Sequence, residues 1–407
     1  MTKKLVQLGQ VADMLSGFAF KSQQFLGVNE NGVKLVRGDN VQQGFIRWGD
    51  KTKKWRGDAY EDFQRYQLAK DDVILAMDRP IVGGGLKLAW IKDNDLPSLL
   101  VQRVTRIRGL PGIAVTNYLR YVLSASDFVA YIDRITTGAN IPHISGKDIA
   151  QFEFKLSSHH EQEQIAELLA RYDELIENNL RRIALLEESA RLLYREWFVN
   201  LRFPGYESVK WIDGLPEGWR VVPLSEVAKV NDATLNTKAA PESIQYIDIA
   251  SVETGSIREV KEMPFTDAPG RARRLVQHGD LIWSCVRPNR KSFALIWEPD
   301  ENVVVSTGFA VLSATRVPFT FLYLATTSDE FTAYLSNRAT GAAYPAVTAK
   351  DFEVAEILLP DSKTLNYFHD KCEPIFELKD NLLKQNKRLM TARDELLPKL
   401  MSGAIQV

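Results

Sequence analysis

Residues 138–148 read Gly-Ala-Asn-Ile-Pro-His-Ile-Ser-Gly-Lys-Asp, and residues 341–351 read Gly-Ala-Ala-Tyr-Pro-Ala-Val-Thr-Ala-Lys-Asp. The first glycine, the proline and the Lys-Asp pair recur at a constant offset of 203 residues. The same offset carries Phe128 onto Phe331 and Tyr131 onto Tyr334. A period this long predicts two tandem domains of similar fold, because solenoid repeats are far shorter.

Further matches follow in the same order along the chain. Residues 72–80 match residues 280–288 at an offset of 208, and residues 44–47 match residues 255–258 at an offset of 211. Farther upstream, Leu8 matches Leu224 at an offset of 216. The offset falls steadily towards the end of each copy, which indicates that the first copy has the longer loops. The sequence is therefore predicted to be an internal duplication.

Both copies have the same internal plan. Short β-rich runs, with Gly, Pro and Asp between them, come first. An amphipathic helix containing Tyr118 and Ile132 is predicted next, then a loop through Gly138, a strand near Leu156 and a long helix. The β-rich runs lie at residues 33–36, 72–77 and 99–107, with 303–312 as the counterpart of the last. This order of elements predicts an α+β protein.

Each long helix carries a stripe whose spacings alternate between four and three residues, as in a coiled-coil heptad. One such stripe could lie on its own domain, but two matched stripes favour antiparallel pairing of the helices. One polar residue in each stripe, Asn179 or Gln385, would fix the register. The stripe residues are Ile165, Leu169, Tyr172, Ile176, Asn179, Ile183, Leu186, Ala190, Leu193 and Trp197 in the first helix, and Ile375, Leu378, Leu382, Gln385, Leu389, Ala392 and Leu396 in the second.

These features divide the chain into two β-rich domains, called heads from here on, and two long helices. The first head is predicted at residues 1–158 and the first helix at 159–200. A turn-rich linker and the second head follow at 201–361, and the second helix occupies 362–407. An antiparallel coiled coil with a seam about 50 Å long, at ~1.5 Å per residue, would place the heads at its two ends. That shape suits a duplex with two half-sites.

Composition limits the possible functions. A chain of 407 residues predicts two to three domains. Its net charge is −1, so any nucleic-acid contact must come from Lys and Arg side chains that are clustered locally. Two distant cysteines and no metal-ligand spacing argue against a disulfide framework or a metal site. The sequence shows neither a membrane-length apolar run nor a signal peptide. We expect a cytoplasmic protein without membrane contact.

Basic residues gather in both copies, with aromatic residues among them in the first. Each cluster alone could be a solvated charged face, but Arg can bind guanine, and Asn or Gln can bind adenine. Which of these side chains would contact bases and which phosphates stays open at this point. The candidate DNA-binding residues are Lys53, Lys54, Arg56, Arg79, Gln102, Arg103 and Asn140 in the first copy, and Arg271, Arg273, Arg274, Arg287, Asn289, Arg290 and Lys291 in the second.

No catalytic motif is present. Gly146-Lys147 lacks the preceding glycine and the following Ser or Thr of a phosphate loop, and Gly83-Gly84-Gly85 lacks the third glycine of a dinucleotide loop. The sequence contains no Asn-Pro or Pro-Pro dipeptide, so the Asn/Asp-Pro-Pro-aromatic motif of adenine methyltransferases is missing. Serine, cysteine and histidine suggest no nucleophile with its base. We predict no catalytic residue, no metal and no cofactor in this chain.

The central junction and the helix start resemble the specificity subunits of type I restriction–modification systems. The junction motif is Trp197-Phe198, then residues 202–205 and 215–219, and the first helix starts with Glu161-Gln162. Residues 280–282 and 306–309 resemble core strands of the family's recognition domains. Two departures occur at the helix starts: Ser157-Ser158-His159-His160 replaces the family's prolines, and the second helix lacks a Glu-Gln.

The resemblance implies a non-catalytic subunit that binds double-stranded DNA through two target recognition domains. Each would read one half of a split site, and the paired helices would set the gap and dock two methyltransferase subunits. Restriction–translocation subunits would join, and S-adenosylmethionine, ATP and magnesium would belong to those partners. The alternative is a coiled-coil adaptor that binds only proteins, and salt-dependent DNA binding separates the two.

Overall fold

The computed structural model describes residues 3–138 and 142–407. The chain has the predicted α+β class and forms two compact units, Met1–Glu177 with Asn386–Val407, and Asn178–Gln385. Both long helices contribute to both units, so the unit boundary falls inside them. The boundaries predicted from the sequence, at residues 158, 200 and 361, divide the chain differently, because they separate the heads from the long helices. These boundaries stay a prediction.

The first head contains eleven of the strands described and four short helices before the first long helix. The strands are β1 (Lys4–Gln7), β2 (Ala12–Ser16), β3 (Val33–Val36), β4 (Lys54–Trp55), β5 (Val73–Ala76), β6 (Ile81–Val82), β7 (Gly85–Leu86), β8 (Leu88–Trp90), β9 (Ser98–Leu100), β10 (Val104–Gly109) and β11 (Glu153–Leu156). The helices are α1 (Leu8–Val11), α2 (Thr116–Ser124), α3 (Ser126–Ile135), α4 (Gly146–Ala150) and the long α5 (His159–Tyr194).

The second unit continues the series after the π-helical turn Arg195–Val199. The strands are β12 (Trp211–Ile212), β13 (Leu215–Pro216), β14 (Arg220–Pro223), β15 (Ala228–Val230), β16 (Ser243–Ile247), β17 (Val252–Glu253), β18 (Ser256–Ile257), β19 (Lys261–Pro264), β20 (Ala272–Leu275), β21 (Leu281–Ser284), β22 (Phe293–Leu295), β23 (Val303–Ser306), β24 (Phe309–Ala314) and β25 (Glu356–Leu359). The helices are α6 (Phe319–Thr326), α7 (Asp329–Arg338), α8 (Ala349–Glu353) and α9 (Ser362–Ser402).

The main sheets of the two heads share one topology. In the first, the main sheet has the order β2-β10-β5-β8, and in the second the order is β15-β24-β21-β22. A second sheet contains a parallel pair in each head, β3 with β9 and β16 with β23. The ladder β1-β11, repeated as β14-β25, joins the beginning of each head to the strand before its long helix. The internal duplication is therefore visible in the strand pairing.

In each main sheet, one of the two inner strands is buried on both faces; these strands, β5 and β21, are called the central strands from here on. Val73 and Leu75 in β5 pack in the core with α2 and α3, whereas Ile74 and Ala76 pack in the core formed with the second sheet. Alternate side chains of a strand point to opposite faces, so an unbroken apolar run fits two cores. The β21 run Leu-Ile-Trp-Ser is likewise buried at all four positions.

Two predicted elements are each divided in the structure. The run at 99–107 forms β9 and β10, which belong to different sheets, and a turn ending at Arg103 (φ 67°) separates them. The predicted amphipathic helix is two helices, because Ala125 is extended. The hydroxyl of Ser124 donates to the carbonyl of Arg120, a local bond of the kind that competes with helical hydrogen bonding.

The long helices α5 and α9 pair antiparallel, as predicted. In the first unit, Asp173 meets Arg393 at 2.6 Å (Oδ1 to Nη1). In the second unit, the Asn179 amide donates to Gln385 at 3.0 Å, and Glu187 meets Lys379 at 2.5 Å. Partner numbers along α9 fall as residue numbers along α5 rise, which defines the antiparallel direction.

The seam of α5 lies where the stripe predicts, since all ten of its residues are buried or half-buried. The predicted stripe of α9 is wrong at two of its seven positions, and Ala392 is half-buried as predicted. Leu378 and Gln385 are exposed, whereas their neighbours Lys379 and Asn386 are buried. Ile375, Leu382, Leu389 and Leu396 are buried or half-buried. A search for apolar repeats passes over Lys379 and Asn386 because these seam residues are polar.

The turn-rich junction between the copies packs into the core of the second unit. Phe203 and Trp219 are buried with ring centroids 4.6 Å apart. The Trp219 indole donates to Asp361 Oδ2 at 2.9 Å, just before α9 begins. The predicted linker therefore holds the start of the second head against the start of its helix. Among the described residues, no helix is long and apolar enough to cross a membrane.

Candidate nucleic-acid interface

Two clefts open on the first head beside the end of β5. Their volumes are about 660 and 430 Å³, and Asp39, Arg79 and Lys87 line both. The other polar or charged lining residues are Asn40, Gln42, Gln43, Arg47, Asp50, Lys51 and Thr52 in the larger cleft, and Ser22, Arg37, Asp78, Gln102 and Arg103 in the smaller one. Arginine, glutamine and asparagine are the side chains that bind base edges and phosphates.

Arg79 and Arg287 occupy equivalent places in the two heads. Each follows the central strand of its main sheet and adopts a positive φ, 45° and 52° respectively. The backbone N–H of each donates at 2.7 Å to a proline carbonyl, Pro142 for Arg79 and Pro345 for Arg287. A left-handed backbone is uncommon for a residue with a side chain, and such strain tends to gather at functional sites.

A carboxylate between two basic groups organises the smaller cleft. Asp78 Oδ1 lies 2.6 Å from His143 Nδ1 and 3.2 Å from Arg103 Nη1. Arg103 also has a positive φ, and Gln102 beside it is exposed. His143 and Arg103 both contact Asp78, so the edge of the cleft is held in place while Arg103 stays more than half exposed.

Two predicted candidates in the first head lie at these clefts besides Arg79, namely Gln102 and Arg103. The basic run near Trp55 has another arrangement. Lys54 Nζ donates at 2.8 Å to the carbonyls of both Val28 and Glu30, so it holds a neighbouring loop. Trp55 is buried against Phe20 and is not a surface for stacking bases. Lys53 is half-buried, Arg56 is exposed beside Asp58, and Asn140 lies outside the described residues.

Sequence reasoning missed several cleft residues, above all Arg37, Arg47 and Lys87. Burial lowers the pKa of Lys87, because desolvation outweighs the nearby acids, of which Asp39 has the largest effect. The repeat offered a signal for Arg47, which matches Arg258, but neither residue stood in a basic run. Arg37 and Lys87 lie far apart in sequence, and only the fold brings both to the smaller cleft.

In the second head, Arg287 is held by the loop at residues 341–345. Its guanidinium lies 4.4 Å from the ring centroid of Tyr344, and its Nη2 donates to the Ala343 carbonyl at 2.9 Å. Tyr344 itself is 68% exposed. The loop therefore presents an aromatic ring together with a planar cation, a pair able to contact both a base and a phosphate.

The other predicted residues of the second head fall into two groups. Arg271, Asn289 and Arg290 are exposed, whereas Arg273, Arg274 and Lys291 have partners within the head. Arg273 donates to the Ala272 carbonyl and lies over Phe265, and Arg274 contacts the Thr234 hydroxyl at 3.5 Å. Lys291 pairs with Asp329 at 2.5 Å. Of these six side chains, only those of Arg271, Asn289 and Arg290 are exposed to solvent.

Both heads offer positive and amide side chains on structured loops, which suits recognition rather than bond making. Within residues 3–138 and 142–407, no group of three or more His, Cys, Asp or Glu side chains could hold a metal ion. The two cysteines are buried or half-buried. Burial raises the pKa of the Cys285 thiol to about 11 and that of Cys372 to about 12, so neither is a ready nucleophile at neutral pH.

Comparison with known proteins agrees with this picture. Residues 2–188 match the model of the type I restriction modification DNA specificity domain. The specificity subunit of the type I restriction enzyme EcoAI from Escherichia coli is 34% identical over 188 residues, which are 46% of this chain and 31% of that protein. The chain thus spans about a third of the length of that relative.

A second relative and a solved structure extend the match over both copies. The specificity subunit of the type I restriction enzyme MjaIX from Methanocaldococcus jannaschii is 26% identical over 321 residues, covering 72% of this chain and 70% of the relative. The crystal structure of a type I S subunit from M. genitalium covers 98% of this chain and 99% of that one, with a TM-score of 0.58 and 16% identity, a likeness of fold. The similarity to type I specificity subunits therefore reaches sequence in both copies, and the family model itself matches the first of them.

Proposed function

We propose that this chain is the DNA-reading subunit of a type I restriction–modification complex and performs no catalysis itself. The observation that supports this most is the repeated placement of Arg79 and Arg287, each on a strained loop after the central strand of its head. Each head then binds one half of a bipartite site on double-stranded DNA. The paired helices set the gap between the two halves.

The helices also offer a surface for protein partners. Leu185, Leu192 and Val199 follow one another at seven-residue intervals, and all three are exposed, by 70%, 45% and 57% respectively. Residues seven apart lie on one face of a helix, and a row of exposed apolar side chains is typical of an interaction surface. We assign this face of α5 and its π-helical end to one of two methyltransferase subunits, which restriction–translocation subunits then join.

Chemistry belongs to these partners in our proposal. The methyltransferase subunits bring S-adenosylmethionine, and the restriction–translocation subunits bring ATP and magnesium. The chain itself recognises the DNA sequence of the two half-sites and sets the gap between them. Its clefts are lined by arginine and amide side chains, which suit a nucleic acid better than a small cofactor.

The deciding experiment replaces residues 1–158 with the head of a related subunit and maps methylated sites across the genome of cells that contain the complex. We expect one half of the methylated site to change while the other half and the gap stay the same. The matched control replaces the second head within 201–361 and should change the opposite half. If either replacement changed both halves together, the two-reader proposal would be wrong.

The alternative is an adaptor that binds only proteins. Measuring the DNA affinity of the complex at several salt concentrations distinguishes this alternative from the proposed function. For a DNA-binding subunit in its complex, affinity falls steeply as salt rises, because phosphate contacts release counterions. Undetectable DNA binding by the assembled complex at low salt would favour the adaptor.

A further inference from the structure

The seams of the two long helices differ in charge, although the helices are equivalent in the duplication. The constant offset of 203 residues carries the buried positions of α5 onto those of α9. It places Lys379 at the position of Ile176, Asn386 at that of Ile183 and Arg393 at that of Ala190. In α9 these three polar residues are buried or half-buried, like the apolar residues that they match in α5.

Each basic seam residue of α9 meets an acid of α5. In the second unit, Lys379 is buried and binds Glu187 at 2.5 Å, and its amine also donates to the Gly255 carbonyl at 2.9 Å. In the first unit, Arg393 Nη1 binds Asp173 at 2.6 Å, and Asp173 also accepts from Arg120 at 2.8 Å. At both ion pairs the acid therefore lies on α5 and the base on α9.

The equivalent residues of these acids in α9 are apolar. The offset carries Asp173 onto Phe376 and Glu187 onto Met390. Two α9 helices paired with each other would therefore bury their lysines and arginines without acids in the facing helix. Among the residues that the structure describes, Glu187 is the one carboxylate within 4.0 Å of Lys379. Removing one partner of a buried ion pair is strongly destabilising because it leaves a charge without compensation.

Lys379 distinguishes α5 from a second α9 helix more strongly than Arg393 does. Arg393 also contacts Asp394 on its own helix at 2.8 Å, so it would keep an acid in any pairing. On the α5 side, Asp173 would keep Arg120, and Glu187 has Arg191 at 3.6 Å. The pair between Glu187 and Lys379 is thus the stronger determinant of which helix α9 accepts.

We propose that these ion pairs make the interface between the two halves heterotypic, so that α9 accepts α5 and rejects a second α9. The partner that fits the α9 surface is an acidic α5-type helix, whether from the same chain or from another copy. Each assembled subunit then contains one head of each kind. A last consequence rests on the proposed function: because the two heads of a subunit differ, the DNA site that it recognises is asymmetric. The pairing itself is independent of DNA.

The test keeps both halves of the protein in solution. A protease site is inserted after Asp213, in the exposed turn between β12 and β13, where insertions are tolerated best. The folded full chain is then cleaved, and its two fragments are followed by native mass spectrometry. For the wild-type sequence we expect complexes of one first half and one second half. We expect no signal from homodimers of the second half. Homodimers of wild-type second halves would overturn the proposal.

Charge reversal provides the second arm. Cleaved Glu187→Lys protein is mixed with cleaved Lys379→Glu protein, each differing in isotope label. Exchange should enrich two complexes, the pair of reversed halves and the pair of wild-type halves, over the two mismatched starting complexes. The matched control mixes Glu188→Lys with Lys387→Glu proteins, which reverse one exposed charge on α5 and one on α9, and should give no enrichment. Random assortment in the reversed pair would show that packing alone selects the partner. Neither arm contains DNA, so failure here is distinct from failure of the proposed function.

Discussion

At the level of single residues, Arg79 and Arg287 have equivalent backbones but different side-chain surroundings. Arg287 is held by Tyr344 and the Ala343 carbonyl, whereas the side chain of Arg79 is exposed in two clefts. A planar cation that is already oriented loses less entropy when it binds a guanine or a phosphate. The two heads therefore present one common contact with two degrees of preorganisation.

We expect Arg79→Ala and Arg287→Ala each to weaken DNA binding by about 1–3 kcal/mol if the arginine contacts a base, and to relax one position of its own half-site. A phosphate contact would weaken all sequences alike. The measurement is the affinity of the assembled complex for site variants at fixed salt, with Arg171→Ala on the exposed face of α5 as the control. Unchanged affinity for every sequence would remove both arginines from the interface.

A residue at the start of α9 gives a prediction on stability and pH. Asp361 accepts from the Thr364 N–H at 3.0 Å and from the Trp219 indole at 2.9 Å. Burial would raise the pKa of this carboxyl, but hydrogen bonds from Thr364 and Trp219 outweigh burial and hold the pKa below its ordinary value. The carboxylate therefore stabilises the fold above the ordinary pKa, and this stability is lost as pH falls through the lowered value.

We expect Asp361→Ala to lower the free energy of unfolding by about 1–2 kcal/mol at neutral pH, as for loss of a helix cap. The difference from wild type should shrink as the carboxyl becomes protonated below about pH 4. Denaturant unfolding at a series of pH values checks this, with the exposed Asp58→Ala as the control. A difference that stays constant down to pH 2 would mean that the charge of Asp361 contributes nothing.

Among the elements, the long helices show what a periodic pattern can and cannot predict. The α5 stripe could be read directly, because its seam is apolar except for Asn179. In α9 the same reading selected Leu378 and Gln385, which are exposed, because the true seam contains Lys379, Asn386 and Arg393. The constant offset of 203 residues would have located these positions. Patterns of hydrophobicity fail where a buried position is filled by a paired charge.

The start of α5 contains another signal that was available in the sequence. Ser158 and Glu161 form a capping box, in which the Ser158 N–H donates to Glu161 at 3.0 Å and the Ser158 hydroxyl accepts from the Glu161 N–H at 3.4 Å. The spacing Ser-x-x-Glu is typical of a helix N-terminus. The Ser-Ser-His-His departure from the family pattern therefore keeps a well-capped helix.

For the whole molecule, the proposal that the helices set the gap predicts the effect of lengthening them. Seven residues are inserted after Asn179 and seven after Gln385, two residues that hydrogen-bond to each other, so that the seam stays in phase. Each helix grows by roughly 10 Å at ~1.5 Å per residue. Along B-DNA this equals on the order of three base pairs, at ~3.4 Å each.

We expect weaker binding, because three base pairs also turn the second half-site by nearly a third of a helical turn, at about 10.5 base pairs per turn. Any methylated site that remains should have a longer gap and unchanged half-sites, which methylome sequencing would detect. An insertion in α5 alone is the control and should abolish folding of the pair. A folded double insertion that methylates the original gap at full rate would assign the spacing to the partner subunits.

The sequence alone determined the duplication, the order of elements in each copy and the existence of two long helices. These features repeat along the chain at fixed intervals, so local pattern and offset are enough to find them. Tertiary structure decided which basic side chains reach the clefts. Lys54 is occupied by two loop carbonyls, whereas Lys87, which no basic run marked, lies beside Arg79 in both clefts. The direction of a side chain and its partners depend on segments distant in sequence, and only folding brings those segments together.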